Sequence, residues 1–114
     1  MKNDESKLQQ ACIKWFRLAY PNYILFAIPN GGARNIVTAS IMKGEGVLAG
    51  VPDLFLAYPK LQSAGLFIEM KTPKGVLNDN QKKIFPELRK AGYRVEVCRT
   101  FEDFKNLITE YVGK

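Results

Sequence analysis

Two short apolar segments with mirrored patterns, residues 53–57 and 65–71, constrain the fold more than any other part of the 114-residue chain. Both are typical of β-strands, and a hairpin centred on Leu61 would place Asp53 opposite Glu69. Side chains alternate between the two faces of a strand. One face of the predicted hairpin then carries Asp53, Phe55, Phe67, Glu69 and Lys71, and the other carries Leu54, Leu56, Leu66, Ile68 and Met70. Because both faces are rich in apolar groups, we expect a central hairpin that is covered on both sides.

The remaining segments predict an α/β fold in the order α-β-α-β-β-α-β-α, with a central mixed sheet flanked by helices. A single domain is expected over residues 1–114. Apolar periodicity, together with proline and glycine positions, sets the bounds of the other elements. They are helices at 5–20, 35–43, 78–91 and 101–111, and strands at 23–28 and 93–98. Pro86 predicts a kink or a split in the third helix, since proline costs about 3 kcal/mol in a helix interior.

Composition excludes several kinds of chemistry. The chain has no histidine, which excludes Ser-His-Asp and Cys-His catalysis, histidine-ligated zinc and histidine-based nucleases. The net charge of +6 favours a polyanionic partner such as nucleic acid. Cys12 and Cys98 fit no metal or redox spacing, so we expect free thiols in a reducing cytoplasm. Neither a signal peptide nor a membrane span is expected, because no apolar run is long enough.

The predicted hairpin brings two carboxylates together. Directly opposed side chains have Cβ atoms about 5 Å apart, so Asp53 and Glu69 need a compensating cation. Lys71 supplies one charge, and a divalent metal would supply the rest. Carboxylate-bound Mg²⁺ supports phosphodiester hydrolysis, so Asp53, Glu69 and the backbone carbonyl of Met70 form a candidate ligand set. Lys71 would orient the attacking water or stabilise the phosphate. The alternative is a turn residue at Asp53 and an exposed polar edge at the other two side chains.

These residues resemble a known signature. Pro52-Asp53, fifteen further residues and Glu69-Met70-Lys71 resemble the Pro-Asp…(Asp/Glu)-x-Lys pattern of restriction-endonuclease-like nucleases. The wider pattern closely resembles the VRR-NUC family, and it comprises Pro29-Asn30-Gly31-Gly32, Gly46-Val47-Leu48-Ala49-Gly50-Val51-Pro52-Asp53-Leu54, Phe67-Ile68-Glu69-Met70-Lys71, Leu77, Gln81 and Ala91-Gly92-Tyr93. The resemblance implies a restriction-endonuclease-like core and a Mg²⁺-dependent DNA endonuclease, with Mn²⁺ as a substitute. It also implies four-way junctions or other branched DNA as substrate, as in stand-alone nucleases of phage or bacterial origin.

The resemblance extends the candidate site to two residues on helices. An acidic residue on the first helix completes the metal site in the family, and Glu5 continues the inward stripe of that helix; alternatively, the helix N-terminus simply favours an acidic residue there. The family also has a glutamine in its active site, which Gln81 matches. The alternative for Gln81 is a capping box with Asn78.

Candidate DNA contacts lie near the loops of this face. Asn30 would contact a phosphate or a metal-bound water, although turn chemistry explains it nearly as well. Arg34, Lys43 and Lys74 are candidate phosphate contacts, and solvated surface charges are the alternative for each.

Two other functions and one assembly state follow from the same residues. A non-catalytic DNA-binding module acting with a partner helicase or nuclease is the alternative to an enzyme, and a structural protein with a basic surface is a third possibility. Symmetric cutting of a four-way junction requires two sites on a two-fold axis, so we expect a homodimer. Its candidate surface comprises Tyr58, Pro59, Leu61, Leu66, Phe101, Phe104, Leu107, Ile108, Tyr111 and Val112, unless these residues serve only the core.

Overall fold

The computed structural model describes residues 2–29 and 36–113, with side chains from residue 4 onward. The described elements follow the predicted order. They are α1 Lys2–Ala19, β1 Leu25–Ala27, α2 Ile36–Gly44, β2 Leu54–Leu56, β3 Leu66–Met70, α3 Asp79–Lys90, β4 Arg94–Cys98 and α4 Phe101–Val112. The strands are shorter than the sequence predicts, because the apolar runs extend past the last ladder hydrogen bonds.

The four strands form one mixed sheet in the order β1-β2-β3-β4. The β1–β2 and β2–β3 pairs are antiparallel, whereas β3 and β4 are parallel and joined through α3. Phe55 pairs with Phe67 and Leu54 with Ile68, so the hairpin register predicted from the mirrored apolar patterns is confirmed.

The sheet has helices on both faces. The β2 and β3 side chains directed to one face lie in the main core with residues of α1 and α4, and this set comprises Cys12, Phe16, Leu54, Leu56, Leu66, Ile68, Met70, Phe104 and Ile108. Helix α3 covers the opposite face, where Gln81 hydrogen-bonds Glu69 and Phe85 is buried. The predicted covered hairpin is therefore confirmed.

Aromatic side chains fill the α3 side of the sheet towards the hairpin loop. The Phe55 and Phe67 ring centroids are 4.5 Å apart, and Tyr93 contacts Phe67 edge-on at 5.2 Å. A Cβ on Gly65 would lie 2.5 Å from Phe55 Cζ, so only glycine fits beside this ring. These half-buried rings make this half of the face apolar, whereas the polar half holds the residues near Glu69.

Helix α3 is continuous from Asp79 to Lys90 although Pro86 lies inside it. The predicted split at Pro86 is therefore wrong. Pro86 is on the exposed side of the helix, where water can solvate the carbonyl of Lys82 that loses its partner.

In each outer strand of the sheet, one backbone carbonyl accepts a hydrogen bond from an arginine side chain of a helix. Arg17 donates from Nη2 to the carbonyl of Leu25 in β1 at 3.2 Å, and Arg89 donates from Nη2 to the carbonyl of Val95 in β4 at 2.9 Å. Neither carbonyl takes part in the hydrogen bonds to the neighbouring strand, so each lies on the outer edge of the sheet.

The apolar face of α4 packs inside the protein. Leu66, Phe104, Ile108, Tyr111 and Val112 are all buried. Because Tyr58, Phe101 and Leu107 also pack against the core, most of the predicted dimer surface serves the fold. Large exposed apolar side chains lie elsewhere, at Leu18, Ile24, Phe26, Ile36, Val37, Ile41, Leu48, Leu61 and Val76. Three of them, Ile36, Val37 and Ile41, are on α2, in which no residue is buried.

The two cysteines are free, as predicted, and both are buried. Burial raises the pKa of Cys12 to about 11, and burial also raises the pKa of Cys98 to about 12. Across the described ranges, no helix combines the length and the apolar character that crossing a membrane requires.

Candidate active site

Asp53, Glu69 and Lys71 meet at the end of the β2–β3 hairpin. The register that pairs Leu54 with Ile68 places Asp53 opposite Glu69 when it is extended by one residue. The Oδ2 atom of Asp53 accepts the backbone N–H of Met70 at 2.8 Å. Lys71 Nζ lies 3.6 Å from Glu69 Oε2, with side-chain exposures of 13% and 2%. The structure therefore brings together the three residues of the predicted signature.

Gln81 joins the first turn of α3 to Glu69. Its Nε2 donates to Glu69 Oε2 at 2.8 Å, while its Oε1 accepts the backbone N–H of Asn78 at 2.9 Å. The Asn78 side chain in turn accepts the backbone N–H of Gln81, which completes a capping box. The capping box is therefore confirmed, and it fixes the amide oxygen on α3 while the amide nitrogen reaches Glu69; the active-site role of Gln81 stays a prediction.

Glu69 is an electrostatically costly residue. Burial is the main cause that raises the pKa of Glu69 to about 8, and the charge of Asp53 adds to it; Lys71 and the Gln81 hydrogen bond act against the shift. Burial also raises the pKa of Asp53, and the Met70 N–H opposes that shift. Two neighbouring carboxyl groups thus resist ionisation unless a positive charge joins them.

One buried oxygen of this site has no hydrogen-bond partner among the described residues. It is Glu69 Oε1, since the Gln81 and Lys71 donors both contact the other carboxylate oxygen, Oε2. Unsatisfied buried carboxylate oxygens are costly. Beside it, the Met70 carbonyl lies on the same edge of β3 as the Met70 N–H, because a strand residue directs both groups to one side. Two carboxylates and a carbonyl are the oxygen donors that suit Mg²⁺, which keeps waters as its other ligands. The residues present therefore fit a Mg²⁺ ion.

Glu5 is half-buried in the first turn of α1, and its charge raises the pKa of Glu69, although it is the smallest of the causes. No group of three or more His, Cys, Asp or Glu side chains within residues 4–29 and 36–113 is arranged to hold a metal ion. The structure thus places Glu5 within electrostatic reach of the site without making it a third ligand, and its metal role stays a prediction.

The predicted DNA contacts are distributed around the site. Lys43 is exposed in the last turn of α2, and Lys74 is exposed in the loop that follows Lys71. Asn30 and Arg34 lie outside the described residues.

One arginine near the site has no counterpart in the sequence predictions. Arg99 follows β4 and donates from Nη1 to the carbonyls of Thr72 at 2.9 Å and Gly75 at 2.5 Å. Its hydrogen bonds link segments 24 and 27 residues apart, and no local pattern signals such a contact.

A mixed sheet with Asp, Glu and Lys at the end of its central hairpin defines an α/β domain of the nuclease type. The VRR-NUC domain matches residues 2–102 of the chain. The chain therefore belongs to the VRR-NUC family, whose domain implies a nuclease-like, DNA-processing function.

The structural comparison agrees with this assignment. A solved "VRR_NUC domain protein" has a TM-score of 0.78 and 24% sequence identity to this chain, covering 96% of this chain and 88% of the other. At this identity the likeness establishes the fold, and it confirms the predicted α/β core. No curated protein matches the chain.

Proposed function

We propose that this protein is a Mg²⁺-dependent endodeoxyribonuclease that hydrolyses phosphodiester bonds in four-way junctions or other branched DNA. The observation that carries the proposal is the buried Glu69 carboxylate beside Asp53 and Lys71, with one oxygen that has no partner in the described part of the chain. Such an arrangement is unfavourable for an isolated protein and favourable once a divalent cation is bound. Mn²⁺ has similar oxygen-ligand chemistry and is expected to substitute.

The residues of the site have separable roles in this reaction. Asp53, Glu69 and the Met70 carbonyl would hold Mg²⁺, which when bound supplies a water of lowered pKa and neutralises charge on the phosphate. Lys71 places an ammonium group beside the reacting phosphate and stabilises the negative charge that develops there. Gln81 holds Glu69 through Oε2 and leaves Oε1 for the cation. Glu5, on α1, is a further candidate ligand for the ion.

The charge distribution supports DNA as the partner. The chain carries a net charge of +6, and Lys43 and Lys74 are both exposed, the latter in the loop that follows Lys71. Asn30 and Arg34 are proposed to contribute further contacts. Lysine and arginine contacts to phosphates bind DNA without reading its sequence, so shape is the natural basis of selection.

We also propose a homodimer, because paired incisions in a four-way junction need two active sites related by a two-fold axis. The exposed side chains of Ile36, Val37 and Ile41 on α2 support a contact between two copies. An isolated apolar helix with no buried residue is typical of an interaction surface. The buried free thiols agree with a reducing compartment, and we propose a cytoplasmic location.

A cleavage panel tests the function. The substrates are a linear duplex, a splayed arm, a 5′ flap and a four-way junction, each with Mg²⁺, Mn²⁺ or EDTA. We expect cleavage of the branched DNAs with either metal, none with EDTA, and loss of cleavage in Glu69→Ala and Lys71→Ala. Glu87→Ala, which removes only an exposed ion pair with Lys90, is the control. Salt-sensitive binding without cleavage in any metal would instead identify a non-catalytic DNA-binding module.

A further inference from the structure

The loop that follows Lys71 forms a tight turn over residues 72–75. The Gly75 N–H donates to the Thr72 carbonyl at 3.0 Å. Three carbonyls of this turn converge on Arg99 Nη1, at 2.9 Å from Thr72, 2.5 Å from Gly75 and 3.5 Å from Pro73. Converging carbonyl dipoles repel one another unless a cation joins them, so the turn depends on the guanidinium group.

Gly75 of the same turn lies beside the side chain of Lys71. A Cβ on Gly75 would lie 3.4 Å from Lys71 Cδ and 3.3 Å from Thr72 Oγ1. The turn backbone at Gly75 therefore borders the aliphatic part of the Lys71 side chain. The Lys71 side chain is only 13% exposed, and its Nζ lies 3.6 Å from Glu69 Oε2. The position of the turn thus restricts the side-chain conformations that are open to the Lys71 ammonium group.

Arg99 is itself held at the junction of β4 and α4. Its N–H donates to Asp103 Oδ2 at 3.1 Å, in the first turn of α4. The preceding residue, Cys98, accepts the Lys71 N–H at 3.0 Å. Backbone pairing on one side and the guanidinium on the other therefore anchor Lys71 and its loop to the same end of β4.

We infer that Arg99 is a positioning residue that fixes Lys71 in the active site by clamping the turn at residues 72–75. The inference rests on the proposed function. Arg99 acts on the DNA reaction through Lys71 and makes no contact with DNA itself. Losing the clamp lets the turn move away from the Lys71 methylenes, so the ammonium group samples positions remote from the phosphate.

The first measurement is single-turnover cleavage of the preferred DNA by Arg99→Met. A displacement of about 1 Å at a reacting group can lower a rate about 100-fold, and we expect the rate at saturating DNA to fall between about 10-fold and 100-fold. The dissociation constant for DNA, measured in EDTA, should stay within about 2-fold, since no phosphate contact is lost. Arg99→Lys keeps a cation that can reach the carbonyls and should recover part of the rate.

Arg89→Met is the matched control. Arg89 also donates to a strand carbonyl, that of Val95, but it is far from Lys71 in the fold, and its replacement should leave the rate unchanged. Gly75→Ala is a second variant that leaves Arg99 in place. Its new methyl group presses on Lys71 Cδ and Thr72 Oγ1, so it should lower the rate without weakening DNA binding.

A double-mutant cycle with Lys71→Met tests the route of the effect. If Arg99 acts through Lys71, Arg99→Met lowers the residual rate much less in the Lys71→Met background than in the wild type. Hydrogen exchange gives a readout that needs no cleavage: the Gly75 N–H should exchange faster in Arg99→Met, while the N–H groups of β3 stay protected.

Each outcome decides a separate question. A wild-type protein that cleaves none of the DNAs overturns the proposed function, and the exchange of the Gly75 N–H then decides the clamp alone. Wild-type rates in both Arg99→Met and Gly75→Ala overturn the inference. A weaker DNA affinity with an unchanged saturating rate also overturns it, because that result makes Arg99 a direct phosphate contact.

Discussion

The side-chain amide of Gln81 bonds Glu69 through its nitrogen and the backbone N–H of Asn78 through its oxygen. One group therefore serves both the start of α3 and the buried carboxylate of β3. The two roles can be separated by substitution, because the cap needs an acceptor and Glu69 needs a donor.

Gln81→Glu keeps the acceptor of the capping box and removes the donor to Glu69. It also adds a third carboxylate to the two of Asp53 and Glu69. We expect cleavage to fall by more than about 10-fold, the size typical of a displaced or uncompensated group at a reacting centre, while α3 keeps its cap. Asn78→Ala is the reciprocal variant: it loses the side-chain cap at a cost of about 1 kcal/mol in the free energy of unfolding and should cleave far better than Gln81→Glu. Equal cleavage by Gln81→Glu and the wild type would contradict an active-site role for the amide.

The stability of the metal-free protein should depend on the protonation of Glu69. The folded-state pKa of about 8 lies above the ordinary value of 4.5, so the folded state binds the proton more tightly than the unfolded state. The contribution of Glu69 is therefore fully present below pH 4.5 and is lost as the pH rises through about 8.

Urea unfolding in EDTA at pH 5, 7 and 9 measures this effect as the difference between the wild type and Glu69→Gln. The difference should shift steadily in favour of the variant as the pH rises. A difference that is independent of pH, or that favours the wild type at pH 9, would show that the carboxyl group ionises freely.

Mg²⁺ should stabilise the folded protein through Asp53 and Glu69. A ligand that binds only the folded state adds about 2.7 kcal/mol at 100 times its dissociation constant, so the melting temperature should rise with Mg²⁺ concentration. Asp53→Asn and Glu69→Gln should abolish the rise. Glu87→Gln, in an exposed ion pair, should retain it. An identical rise in all four proteins would place the bound metal elsewhere.

The assembly state can be measured without DNA. Light scattering at micromolar concentration should give the mass of a dimer, and Ile41→Glu on the exposed side of α2 should give a monomer, because it places a charge in an apolar contact. Leu18→Glu changes an apolar residue of α1 that is more exposed than Ile41 and should remain dimeric. A monomer mass for the wild type would remove the dimer and leave the active site unaffected.

The hairpin could be predicted in detail because two independent signals coincide in it. The apolar pattern of residues 65–71 mirrors that of residues 53–57, which favours the register that pairs Phe55 with Phe67, and a slip of one residue would move the apolar side chains of one strand to the opposite faces. That register also fixed the approach of Asp53 to Glu69. The capping box at Asn78 was equally accessible, since its two residues are three positions apart.

Other features depend on distant contacts that the sequence does not signal. The apolar side chains of α4 are compatible with a core or an interface, and only the position of the helix against β4 and α1 decides between them. Pro86 leaves α3 continuous because its ring meets solvent. The carbonyl partners of Arg99 lie in the loop that follows the neighbouring strand β3, and that loop has no unusual local pattern.

The arginines at the two outer strands limit how copies of this protein can associate. Unpaired strand edges recruit further strands and seed fibres, but Arg17 and Arg89 already occupy a carbonyl on each edge. A neighbouring copy would have to displace a guanidinium group before it could extend the sheet. Edge-to-edge pairing of two sheets is therefore disfavoured at both outer strands.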